Sequence, residues 1–207
     1  MAVRAQQTRE LILAAAEKLF AEHGVGVVSN RQISEAAGQG NNTAVGYHFG
    51  TKADLVRAVV RRHSEPIERI RGEMIGGLPA DPELGDWVAC MVRPVPEYLG
   101  TLAAPTWYGR FTAQAMTDPL LRQIMIDEAL TSPQLREVRE GLNPCLPRLP
   151  AAVRAERGEM ARHVIVHSCA EHERAVAEGT ATRSWHHLAT GLSDAITGLL
   201  LAPVTRA

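Results

Sequence analysis

Apolar positions along this chain recur at helical spacing, and no run of strict alternation is long enough to argue for a sheet. A first helix is predicted from Thr8 through Leu11, Ile12, Ala15, Leu19 and Phe20, with Gly24 as its stop. In "SNRQISEAAG", Ser29 followed three residues later by Gln32 forms a capping box. Ile33, Ala36 and Ala37 are expected to face inward, and Gly38 to end the two turns. "QGNNTAVGYHFG" predicts another short helix, with an Asn as N-cap and Gly50 as stop. "TKADLVRAVVRRH" opens a longer one on Thr51, with Asp54 in capping-box register.

Proline and glycine punctuate the rest. Pro66 predicts a kink or restart in the fourth helix, with Ser64 as a possible cap. "GGLPADPELG" (76–85) is the clearest linker-like break. Helices follow at roughly 83–101, distorted by Pro94 and Pro96, then 104–117, 119–142, 151–178 and 184–202. The fold class is therefore all-α. A head over residues 1–52 is expected to precede a helical body over 53–207.

Composition bounds the chemistry. The chain of 207 residues carries 22 Lys+Arg against 23 Asp+Glu. Residues 1–63 hold eight basic and five acidic side chains, so a small basic head sits on an acidic body. Cys90, Cys145 and Cys169 form no CxxC pair and suggest neither a disulfide framework nor a zinc ribbon. The start lacks a signal peptide's pattern, and no apolar stretch could span a bilayer. A soluble, cytoplasmic protein is expected.

Two short capped helices around a glycine-containing turn make a helix-turn-helix pattern. In that geometry Ile33, Ala37, Val45 and Phe49 pack inward, while Asn41, Asn42, Thr43, Gly46, Tyr47 and His48 face out. Asn pairs bidentately with adenine edges, Thr offers a hydroxyl and a methyl, and Gly46 permits close approach. Tyr47, His48 and Lys52 suit phosphate oxygens, as does the Ser29/Arg31 end of the preceding helix. The surface such a face fits is the DNA major groove.

These residues carry a resemblance. "ILAAAEKLFAEHG", "ISEAAG" and "YHFGTKADL" are similar to the N-terminal domain of TetR-family transcriptional regulators over residues 8–63. The resemblance implies an all-helical homodimer, with a three-helix head joined by the fourth helix to an effector-binding and dimerisation domain. It matches Thr43 and Tyr47 to DNA contacts, His48 and Lys52 to phosphate contacts, and Asn41, Asn42 and Gly46 to positions that read sequence. Glycine at position 46 departs from the larger residue common there. It weakens the helix by about 1 kcal/mol relative to Ala.

Within the body, Trp87, Tyr98, Trp107, Tyr108 and Phe111 cluster with Met91, Met116 and Met125. Aromatics with adaptable methionines suit an apolar pocket, and they suit ordinary core as well. Within this family the group is expected to line an effector site, with Met160 and His163 as further candidates, for an apolar or weakly polar ligand. On the last helix, Leu188, Gly191, Leu192, Ala195 and Leu199 are expected at a dimer interface with residues 151–178.

Other classes fit less well. His163 and His167 share a helix face near Cys169 and His172, which leaves a metal-responsive regulator as an alternative. Neither H-E-x-x-H nor H-x-x-E-H is satisfied, so no metal ligand is assigned. No nucleophile–base pair can be read, so no enzyme and no cofactor are expected. A helical protein-interaction module is a further alternative, though its core would favour Leu, Trp and Arg over Asn.

Overall fold

The computed structural model describes residues 2–41 and 43–204, and Asn42 lies outside the described residues. Among the described residues there are eleven helices and no strand. The chain divides into two compact units, 1–64 with 107–129 and 65–106 with 130–207.

The N-terminal unit contains α1 (Ala2–His23), α2 (Asn30–Ala36), α3 (Ala44–Phe49), the first half of α4 (Lys52–Gly76), α7 (Tyr108–Ala115) and α8 (Pro119–Leu130). α1 starts six residues before Thr8, because no Gly or Pro interrupts Ala2 to Gln7 and a Gln6–Glu10 hydrogen bond of 3.0 Å braces its exposed face. Ile12, Leu13, Ala16 and Phe20 bury one stripe, whereas Leu11 is exposed. Gly24 ends the helix at φ +88°, its N–H donating to the Phe20 carbonyl. α1 packs on α2 and on α7, and α2 on α3.

α4 corrects one expectation. It runs unbroken through Pro66. The Ser64 hydroxyl donates back to the Val60 carbonyl at 3.0 Å and caps no new helix.

The second unit holds the rest of α4 with α5 (Leu84–Val92), α6 (Pro94–Thr101), α9 (Pro133–Cys145), α10 (Ala151–Ala177) and α11 (Trp185–Leu201). The helix expected over 83–101 is divided at Arg93, which keeps helical dihedrals while Pro94 supplies no N–H. The one expected over 119–142 also divides. Pro133 forces Ser132 into extended backbone, ψ 122°, and the Ser132 hydroxyl caps Leu135 N at 3.0 Å.

Leu188, Leu192, Ile196 and Leu200 of α11 are buried, and α11 packs on α5, α6 and α10. Gly141 of α9 is required by packing: a Cβ there would lie 2.3 Å from the Trp87 ring. Two buried arginines tie helix ends. Arg71 donates to the carbonyls of Cys90 and Met91 at 2.6 and 3.1 Å, and Arg157 to that of Leu200 at 3.0 Å.

Candidate nucleic-acid interface

Short helices need help to form, since nucleation fixes several residues for one hydrogen bond. α2 receives it from Ser29. Gln32 N donates to Ser29 Oγ at 3.3 Å, and Ser29 N donates to Gln32 Oε1 at 2.8 Å. Ile33 and Ser34 are fully buried and Ala37 nearly so, while Ala36, expected inside, is exposed. Seven residues on a 3.6 period have room for one narrow inward stripe, and the small Ser34 occupies its second place. Gly38 turns the chain at φ +67°, a conformation that costs a residue with Cβ.

α3 has only six residues, and its entry is organised by Asn41. Asn41 Oδ1 accepts from Thr43 N at 2.9 Å and from Thr43 Oγ1 at 2.7 Å, and Ala44 N donates to the Asn41 carbonyl at 3.1 Å. This turn holds the first residues of α3 in place before the helix begins. Ala44 and Val45 are buried, and Gly50 closes the helix at φ +80°. The opposite face carries Thr43, Gly46 and Tyr47, all exposed, beside half-buried His48. Tyr47 is 84% exposed, and its ring meets His48 edge-on at 5.0 Å. Nothing lies within 4 Å of a Cβ placed at Gly46, so packing inside the chain does not require glycine there.

The supporting residues have partners of their own. Arg31 pairs with Glu35 at 2.7 Å. Lys52 Nζ donates to the carbonyls of Val25 at 3.1 Å and Val28 at 2.7 Å, leaving one ammonium N–H for an outside acceptor. Thr51 and Asp54 cap α4 reciprocally. Hydrogen bonds from the Thr51 hydroxyl and backbone, with help from Arg57, hold the Asp54 carboxyl below its usual range.

Behind this surface, His63 Nε2 lies 2.8 Å from Glu17 Oε2 with both side chains buried, and the His63 ring stacks on Tyr108 at 3.9 Å. Sequence reasoning passed over this pair. The available signal was Glu17, a charge set among Ile12, Leu13, Ala16 and Phe20 on a buried stripe.

The expected effector residues divide between the units. Trp107, Tyr108, Phe111 and Met125 belong to the first, and Trp87, Met91, Tyr98, Met160 and His163 to the second. Phe111 is fully buried between Phe20 and Tyr108, at ring distances of 6.2 and 6.0 Å. Such contacts are those of a core side chain. Met160 and His163 are exposed on α10. Tyr98 is buried, with Trp87 and Met91 half-buried.

On α11, Leu188 and Leu192 turn inward, Leu199 is half-buried, and Gly191 and Ala195 face outward. The rings of His163 and His167 lie 6.4 Å apart. Among the described residues no group of three or more His, Cys, Asp or Glu could hold a metal.

Comparison with known proteins bears on the same segment. Residues 12–59 match the family model of bacterial regulatory proteins, tetR family. The chain is 28% identical over 145 residues to the HTH-type transcriptional repressor AcnR of Corynebacterium glutamicum, covering 65% of this chain and 68% of that protein. The AcnR of Corynebacterium efficiens is 29% identical over the same shares. A solved TetR family transcription regulator from Marinobacter aquaeolei VT8 superposes with a TM-score of 0.59 at 15% identity, over 97% of this chain and 98% of that one. Residues 12–59 therefore form an N-terminal domain of the tetR family.

That domain is the helix-turn-helix, DNA-binding module of bacterial regulatory proteins. Among the chain's described residues no helix is long and apolar enough to cross a membrane.

Proposed function

We propose that this chain is a homodimeric repressor that binds a palindromic operator and leaves it when a small-molecule effector binds the body. The observation that carries this reading is the exposed face of α3, where Thr43, hydrogen-bonded to Asn41 Oδ1, stands beside exposed Gly46 and Tyr47. Asn42, Thr43 and Gly46 read base edges, Asn41 adds only its amide N–H donors because its Oδ1 is engaged by Thr43, and Tyr47 and His48 hold phosphates. The spare N–H of Lys52 and the Ser29/Arg31 end of α2 add phosphate contacts. Two heads on a two-fold axis would enter successive major grooves about 34–36 Å apart or at multiples of that. A duplex partner assigns the protein to the cytoplasm.

The outward residues Gly191 and Ala195 of α11, with exposed Met160 and Val164 of α10, supply the self-complementary face a dimer needs. With Phe111 packed in the core of the N-terminal unit, the effector residues that support a pocket are Trp87, Tyr98 and Met91, whose carbonyl accepts from Arg71 of α4, and they favour an apolar or weakly polar ligand. An effector there would favour one setting of α4 over another. A hundred-fold fall in operator affinity needs about 2.7 kcal/mol of differential effector binding.

Selection of duplexes from a random pool, followed by a salt titration of the winners, tests the first half. A palindromic consensus with steeply salt-dependent affinity is expected. Absence of any duplex binding would return the chain to the interaction-module class. Screening metabolites for release of the selected duplex tests the second half.

A further inference from the structure

A cleft of about 440 Å³ opens in the N-terminal unit between α1, α3 and α4. Arg9, Leu13, His48, Phe49, Ala58 and Arg62 line it, with Arg57 and Arg61 also on its wall. Four guanidinium groups and an imidazole thus face two lining carboxylates, Glu10 and Asp54.

Two of the arginines are already satisfied. Arg57 is hydrogen-bonded to Asp54 at 2.9 Å, and Arg61 grips both oxygens of Glu128 at 2.7 and 2.8 Å. The other two keep their N–H donors free of hydrogen bonds to a carboxylate, Arg62 making only loose ion pairs. Arg62 comes no nearer to a carboxylate than 3.8 Å at Glu10 and 3.9 Å at Glu17, outside hydrogen-bond range. Those carboxylates are engaged elsewhere, Glu10 with Gln6 and Glu17 with His63. Arg9 lies over the Phe49 ring at 4.9 Å, which holds its plane without using its N–H donors. Each guanidinium offers five donors in a fixed fork.

We propose that this cleft is an anion site for a phosphate-bearing small molecule, with the phosphate held between Arg9 and Arg62. Forks arriving from two different helices suit a tetrahedral oxyanion, whose oxygens point several ways, better than one planar carboxylate. The volume falls in the range of small-molecule sites, so it admits an uncharged body against Leu13 and Ala58 as well as the phosphate. His48 belongs both to the cleft wall and to α3, so an occupant would bear directly on the helix assigned to DNA. The site is in the head and does not depend on an effector pocket in the body. A DNA backbone carries the same phosphate chemistry and is the competing source.

Calorimetric titration of the full chain with inorganic pyrophosphate at constant ionic strength tests the assignment. Saturable binding is expected, weakened about tenfold or more in Arg9→Ala and in Arg62→Ala. Glu10→Gln removes a negative charge 3.8 Å from Arg62 that repels an incoming anion and should tighten binding, a gain that misfolding cannot produce. Affinity that is absent, or the same in all three variants, would overturn the site. Duplex binding measured without pyrophosphate separates the sources. If Arg9→Ala and Arg62→Ala leave it unchanged, the ligand is a free phosphate compound. If both weaken every duplex alike and flatten the salt dependence, the phosphate is the DNA backbone's and the small-molecule site is refuted.

Discussion

Phe20 of α1 and Phe111 of α7 stack with ring centroids 6.2 Å apart, and both rings are fully buried. α7 is thereby part of the core on which α1 rests. Phe111→Ala should cost about 3–5 kcal/mol through the cavity it leaves. Trp107 is half-buried, flanked by Lys18 at 5.3 Å and Arg110 at 4.2 Å from its ring. Trp107→Ala should cost distinctly less. Denaturant unfolding of the two variants checks the order, and equal losses would contradict it.

The exposed face of α3 gives a contrast in DNA binding. Tyr47→Ala should weaken binding to all duplexes alike and reduce the salt slope by about one phosphate's share. Asn41→Ala should act differently, because Asn41 also organises the turn before α3. It should lower affinity and loosen α3 together, seen as faster amide exchange at Ala44 and Val45. Unchanged exchange would mean that α3 does not depend on that turn.

Gly191 and Ala195 can be altered without disturbing the protomer. Both are exposed, and nothing lies within 4 Å of a Cβ placed at Gly191. Gly191→Leu and Ala195→Glu should therefore leave the fold intact by circular dichroism and yield monomers in light scattering. The causes are overpacking in one case and a buried unpaired charge in the other. Dimers that persist in both variants would move the interface to another face.

His172 is buried with no partner for its Nε2, and desolvation, aided by Arg183, pushes its pKa below the usual 6.5. Below 6.5 the unfolded chain therefore binds a proton that the folded chain resists. Stability should fall as pH drops from 6.5 towards the depressed folded value, and His172→Gln should flatten that part of the profile. Thermal melts between pH 7 and 5 would show it. Parallel profiles for the two proteins would remove His172 as the cause.

Thiol reactivity should be uneven. Burial pushes the Cys169 thiol up to about 12 and raises Cys90 as well, while Cys145 is only half-buried. Iodoacetamide at pH 8 should label Cys145 first in the native protein. Mass spectrometry of tryptic peptides reads the order directly.

Local chemistry was legible in the sequence and long-range packing was not. Ser29 with Gln32, Thr51 with Asp54, and the glycine stops at 24, 38 and 50 are contacts within a few residues, so spacing alone reveals them. The break before α9 was also local: Pro133 restricts Ser132, and a search for caps would have found it. The placement of Phe111 was not recoverable that way. An aromatic cluster has the same composition in a core as in a pocket, and what decides is Phe20, ninety-one positions earlier in the chain. Lys52 is similar, since nothing near it in sequence announces the carbonyls of Val25 and Val28.

That lysine has a mechanical consequence. Its ammonium pins the first turn of α4 to the segment between α1 and α2, while His63, three turns further along α4, is pinned to Glu17 of α1. A rod clamped at two points cannot pivot about either one. Any swing of α4 must carry α1, α2 and α3 with it as one block, so torque applied to this rod re-aims the exposed face of α3 without reshaping it.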